Sequence, residues 1–195
     1  MYHHLLLKHF CGVMALLPHE LAVIASYYRE KKIPKGTFIL REGQVCQFEG
    51  YVIKGCCKVS VIDTKGGDNV LHFAAPDWWL MDIDSFANRS ASRLNIQALT
   101  DCTILWISYD DKERLYREVP KMERLFRCIY QKSVVAWQRR LMRNHTMNAE
   151  QRYDHFVATY PEINQLVTNK QVASYLGITQ EFLSMIRKRR ATKKG

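Results

Sequence analysis

"NKQVASYLGITQEFLSMIRKRR", residues 169–190, is a short apolar run that turns once at a glycine, restarts on a threonine and finishes in four consecutive cations. Two helices that cross closely need a small residue at the contact, a turn residue free to take positive φ, and apolar side chains that lock one helix across the other. Each requirement is met here. Ala173 is the small contact and Gly177, four residues later, is the turn. Val172, Leu176 and Ile178 line the inside, and Leu183 and Ile186 close the second helix. Thr179 is its natural N-cap, with Glu181 and Phe182 in the first turn.

Any helical hairpin can show such spacing, so the outward face carries the functional reading. The second helix is predicted to expose Gln180, Glu181, Ser184, Arg187 and Lys188. Gln pairs with adenine, Glu accepts from cytosine, and Arg or Lys reaches guanine or phosphate. The "RKRRATKK" terminus, from Arg187 to Lys194, would lie over the phosphate backbone and add salt-sensitive affinity. The predicted DNA-contacting set is therefore Thr179, Gln180, Glu181, Ser184, Met185, Arg187, Lys188 and Arg190. Replacing Arg187 and Lys188 together by alanine is expected to cut DNA affinity and leave the fold intact.

The 195 residues suit one large domain or two small ones, and 47% hydrophobic composition is enough for a buried core. A formal charge of +10 favours a polyanionic partner, nucleic acid or a membrane surface, without choosing between them. No apolar run approaches the roughly 20 residues that span a bilayer. The opening "MYHHLLLKHFCGVMALLPHE" is broken by Lys8 and His9 before a signal-like core develops. A soluble cytoplasmic protein with no membrane partner is expected.

"LPHELAVIASYYREKKI" predicts a helix over residues 16–30. From Pro34 the pattern changes to short apolar runs punctuated by glycine: "TFIL" before Gly43, "FEGYVI" before Gly55, "CCKVSVID" before "TKGG". In "CCKVSVI", Cys57, Val59 and Val61 alternate with Lys58 and Ser60, which predicts one buried face, and "DTKGGD" predicts a hairpin turn. Asp101 is predicted to turn between two strands in "LNIQALTDCTILWIS". Strands this frequent, without intervening helices, indicate an antiparallel, jelly-roll-like β roll over residues 33–108, and the fold class is α+β.

After Tyr109, "YDDKERLYREVP" predicts a short helix. "KMERLFRCIYQKSVVAWQRRLMRN" then carries Met122, Leu125, Phe126, Ile129, Ser133, Ala136, Trp137 and Leu141 on one stripe. At 1.5 Å per residue such a helix is on the order of 36 Å long. That is more than the roll can cover, so the rest of the stripe is predicted to pack on a second copy; packing within one chain is the alternative. Residues 144–148 are the predicted linker. The division is 1–117 for an N-terminal helix and β roll, 118–147 for a dimerisation helix and linker, and 148–195 for a helix-turn-helix domain.

Other chemistry is weakly supported. The six cysteines show no CxxC, and Cys56 and Cys57 point to opposite faces of a strand. Seven histidines lack ligand spacing, with His3, His4 and His9 placed on a mobile N-terminus, so no metal is expected. Trp78 and Trp79 should face opposite sides, one buried and one exposed. No nucleophile–base pair, phosphate-cradling glycine loop or paired acidic motif appears, so no catalytic residue is assigned and the chain is read as a non-enzyme.

With "KGTFILREGQ", "GYVIKGCCKVS", "IQALTDCTILWIS", "QRYDHFVATYPEI" and above all "ASYLGIT" in this order, the chain resembles the Crp/Fnr family of bacterial transcription regulators over nearly its whole length. The resemblance implies a cyclic-nucleotide-binding-like roll, a homodimer built on the long helix, and two recognition helices on a roughly palindromic operator with half-sites about 34 Å apart. RNA polymerase is a further candidate partner on the same ground.

Two positions depart from the family pattern. Nucleotide-binding members hold the sugar and cyclic phosphate with a Gly-Glu pair and an Arg-Ser/Thr pair. Here, in "WWLMDIDSFANRSASRLNIQA", Asp82 stands near the glutamate's place with no glycine before it, and Ser92 and Arg93 come in reversed order. Asp82, Arg89, Ser92 and Arg93 remain the effector-pocket candidates; no response to cyclic AMP and no resident cofactor are expected. The second departure is Met185, where the family usually has an arginine. A thymine methyl would suit Met185, but loss of a bidentate guanine contact costs about 1–3 kcal/mol of discrimination. No β-wing is expected after the helix. The alternative function is a ligand-sensing roll that acts through a protein partner, with its DNA-reading helix decayed.

Overall fold

The computed structural model describes residues 2–192. Its strands form two four-stranded antiparallel sheets packed as a roll. One sheet has the order β1 (Arg29–Ile33), β8 (Cys102–Ser108), β3 (Phe48–Lys54), β6 (Trp79–Leu80). The other runs β2 (Phe38–Leu40), β7 (Asn95–Ala98), β4 (Cys57–Ile62), β5 (Asp68–Ala74). Leu40, Val52, Val59, Leu80, Ile96 and Ile104 fill the space between them. The predicted α+β roll is the fold found, with one short helix, α3 (Ile83–Asn88), interrupting the strand series.

The turn regions behave as their residues require. Asp63 accepts the Lys65 and Gly67 amides, each at 2.8 Å, and Gly66 alone of the glycine pair takes positive φ, +80°. Gly55 sits at φ +92° so close to the β7–β8 turn that a Cβ would lie 2.5 Å from the Asp101 carbonyl oxygen. That is a position for glycine on conformational and steric grounds together.

Four expectations are corrected. The N-terminal histidines stand on or beside a packed helix rather than a loose segment: α1 (His3–Cys11) buries Leu6 and Phe10, and Phe10 stacks on Trp79 with ring centroids 5.8 Å apart. The predicted 16–30 helix is α2 (Pro18–Tyr27); Arg29 already belongs to β1, drawn into the sheet by pairing with Trp106 of β8. Strand β4 is buried on both faces, because Lys58 ion-pairs with Asp68 and its side of the sheet is covered by the C-terminal helices. Trp78 and Trp79 do face different clusters, but both are half-buried.

α4 (Tyr109–Glu118) leads into α5 (Lys121–Thr146), a 26-residue helix. Its first turns close the core beside α1. There Met122, Leu125, Phe126 and Ile129, assigned to a dimer face, are buried within their own chain. Glu49 of β3, Lys112 of α4 and Tyr130 of α5 meet in the same region; Lys112 ion-pairs with Glu49, and the Tyr130 hydroxyl donates to Glu49 at 2.9 Å. The linker is shorter than residues 144–148, since α5 runs on to Thr146. Asn148 at once caps α6 (Ala149–Thr159) through a reciprocal box with Gln151. α7 (Pro161–Leu166), α8 (Asn169–Leu176) and α9 (Gln180–Thr192) complete the C-terminal unit.

Candidate nucleic-acid interface

Helix α8 starts where the Thr168 hydroxyl accepts the Gln171 amide and the Gln171 side chain accepts the Thr168 amide. It ends on Gly177 at φ +66°, ψ +38°, a left-handed cap whose amide, with that of Ile178, recovers the Ser174 and Ala173 carbonyls. Two residues later the Thr179 hydroxyl accepts the Phe182 amide at 3.2 Å and α9 begins. Val172, Ala173 and Leu176 meet Leu183 and Ile186 in one cluster with Tyr153, Phe156 and Ile163. The helix-turn-helix geometry follows from this packing.

Its outer face carries Thr179, Gln180, Glu181, Ser184, Met185 and Lys188, all exposed, together with Arg189, which belongs to the basic terminus but not to the predicted contact set. Glu181, Met185 and Arg189 follow one another at intervals of four and so lie along one side of α9.

Arg187 and Arg190 do not belong to that face. Residues 183, 186, 187 and 190 repeat at the three-and-four spacing that marks one side of a helix, and here that side points inward. Arg187 donates to Asn169 Oδ1 at 2.5 Å and Asn164 Oδ1 at 3.2 Å. Arg190 pairs with Asp154 at 3.1 Å, and both guanidinium groups lie over the Tyr153 ring. They tie α9 to α6, α7 and α8, so the double alanine replacement would also loosen the fold. Lys193 and Lys194 lie outside the described residues.

The C-terminal unit is docked on the roll. Ser174 of α8 accepts the Val70 amide and donates to the Asp68 carbonyl, each at 2.8 Å, and so satisfies part of the open edge of β5. Arg140 of α5 donates to the Tyr175 carbonyl at 3.2 Å and stacks on the Tyr175 ring. Trp78 of the roll meets Tyr160 edge-on at 5.4 Å, while Arg152 of α6 donates to the Leu176 carbonyl within the C-terminal unit.

Of the four effector candidates in the roll, only Asp82 and Ser92 meet. Asp82 is buried as the N-cap of α3, where it accepts the Asp84 and Ser85 amides and, at 2.6 Å, the Ser92 hydroxyl. Asp82 and Ser92 are therefore brought together, but each is spent on the other. Arg89 ends α3 at φ +57°, its guanidinium over the Tyr109 ring and 3.9 Å from Asp110; Arg93 is exposed. Among the described residues no group of three or more His, Cys, Asp or Glu side chains could hold a metal ion, and no helix is long and apolar enough to cross a membrane.

Residues 30–119 match the cyclic nucleotide-binding domain family. No curated protein matches the chain in sequence. Among solved structures it is similar to the c-di-GMP responsive global regulator CLP of Xanthomonas campestris, with TM-score 0.73 and 14% identity over 90% of this chain and 92% of that one. FixK2 of Bradyrhizobium japonicum gives TM-score 0.73 and 14% identity, covering 86% of each chain. The catabolite activator protein of Thermus thermophilus gives TM-score 0.59 and 17% identity over 95% of this chain and 88% of that one. The likeness is one of fold, and it extends past the roll into the C-terminal helices.

Proposed function

We propose that this chain is a sequence-specific DNA-binding transcription regulator of the Crp/Fnr type, acting as a homodimer on a roughly palindromic operator. One observation carries the reading: a capped second helix that buries Leu183 and Ile186 on its inward side, and whose outward side offers Gln180, Glu181, Ser184 and Lys188 to solvent. Those groups have the hydrogen-bonding repertoire for base edges and phosphates. The regulators with similar folds support it, as does the charge of +10. Double-stranded DNA and a second copy are the partners, with RNA polymerase engaged at the promoter, no catalytic activity, and a cytoplasmic location. Asp82 and Ser92, bonded to each other, argue against a cyclic AMP response.

A second reading is favoured by the composition of the reading face. Met185 stands at its centre, and Arg187 and Arg190 are withdrawn from it, which leaves few cations to meet phosphate. On that reading the roll senses a ligand and acts through a protein partner.

Selection of bound fragments from a random DNA pool, followed by affinity of the winner against salt, separates the two. An enriched inverted repeat with a steep salt slope is the expected result. Absence of any enriched sequence, together with salt-insensitive binding, would favour the protein-partner reading.

A further inference from the structure

Between the roll, the second half of α5 and the C-terminal helices lies a cavity of about 340 Å³ that the DNA-reading face does not use. Its size falls within the ~300–1,000 Å³ of small-molecule sites, and it sits, as such sites often do, where separate structural units meet. None of Asp82, Arg89, Ser92 and Arg93 lines it.

Three features define what it would hold. Two of its lining residues, His72 and Trp79, each carry a buried ring nitrogen, Nδ1 and Nε1, without a hydrogen-bond partner. Buried polar atoms are ordinarily paired, so unpaired ones on residues that line a cavity are candidate partners for a ligand's polar groups. Arg140 and Arg143 supply two cations and the lining contains no carboxylate. Arg140 is held by Tyr175 through one hydrogen bond and ring stacking, which leaves most of its five donors unspent. Burial works against its charge, a penalty that a bound anion would reduce. The remaining wall is aromatic, with Trp78 against Tyr160 and Trp137 standing edge-on to His72 at 5.3 Å.

We propose that this cavity binds a small planar aromatic anion, an aromatic carboxylate or a mononucleotide, with its ring among the tryptophans and its charge on Arg140 and Arg143. Because Tyr160, Ile163 and Tyr175 form one wall and the roll and α5 form the others, the ligand binds the docked arrangement of the C-terminal helices and favours it over an undocked one. An effect on DNA affinity depends on the function proposed above; the binding itself does not.

Three of the four tryptophans, Trp78, Trp79 and Trp137, line the cavity, so fluorescence of the full chain reports its occupancy. Titration with 2-naphthoate, guanosine 5′-monophosphate and inorganic phosphate, with calorimetry alongside, tests the proposal. Saturable quenching by 2-naphthoate or by the nucleotide is expected, and whichever binds identifies the source of the aromatic group. Arg143→Gln should weaken that binding at least tenfold and Ala136→Phe should block it, with unliganded thermal midpoints unchanged to show that both variants fold. Absence of saturable binding by either aromatic anion, binding of phosphate alone, or binding unaffected by folded Arg143→Gln would overturn it. Since no DNA is present, failure here and failure of the DNA-binding reading are separate results.

Discussion

Arg187 and Lys188 are adjacent cations with opposite assignments: one bridges α7 and α8 to α9, the other faces solvent. Hydrogen bonds from a charged donor contribute about 1.5–3 kcal/mol, so Arg187→Ala should destabilise the chain by about that much in denaturant titration. Lys188→Ala should leave stability within about 0.5 kcal/mol and reduce the slope of log affinity against log salt by about one. His72 gives a second residue-scale prediction. Burial, reinforced by the nearby Arg140 charge, lowers its pKa from the ordinary 6.5 to about 4. As the pH falls below about 6.5 the unfolded chain takes up this proton before the folded one does, so stability declines until about pH 4 and then levels off with respect to this group. The full displacement corresponds to about 3 kcal/mol. In urea titrations across that range, His72→Gln should lose less stability than the unaltered chain; equal losses would remove His72 from the account.

At the scale of elements, the buried Glu49–Lys112 pair joins β3 to α4, and Tyr130 brings in α5. Lys112 is buried among Phe126, Tyr116 and Tyr130, and desolvation lowers its pKa while Glu49 acts in the opposite direction. Removing one partner of such a pair leaves an uncompensated buried charge. Lys112→Met should therefore cost about 3–5 kcal/mol, and adding Glu49→Leu should restore most of it. Chemical denaturation of the single and double variants measures both. This triad had no signal in the sequence, because Glu49 and Lys112 are far apart in the chain and neither lies in a recognisable motif. Strand β1 was illegible for a related reason: "REKKI" lacks apolar alternation and becomes a strand only by hydrogen bonding along β8. By contrast, the β4–β5 hairpin and the α8–Gly177–α9 turn were readable, since their glycines and caps act within a few residues.

For the whole molecule, the exposed side of α5 sets the assembly expected of it. Val134 and Leu141, and Val135 and Met142, are spaced by seven and between 42% and 64% exposed, an apolar stripe of the kind that two helices share. Leu141→Lys should convert a two-chain particle into a single chain in sedimentation equilibrium; an unchanged mass would place the partner surface elsewhere. Ser133, Ala136 and Trp137, placed on the dimer face from sequence, are exposed in the single chain and border the cavity against the C-terminal helices. The same helix thus serves the core with its first turns, the cavity with one later face and solvent with another.

What the sequence by itself determined is what periodicity and local chemistry encode: an antiparallel roll, a long helix, and a capped, glycine-turned helix pair, in that order. Each rests on residues a few positions apart, whose effect on φ, ψ and side-chain direction does not depend on the rest of the chain. Tertiary structure alone decided which face of each helix is occupied. It turned Arg187 and Arg190 inward, joined Asp82 to Ser92, folded the N-terminus onto Trp79, and set Ser174 on the edge of β5. The physical reason is that a helix presents several faces of similar composition, and only the surface packed against it selects the one that is buried.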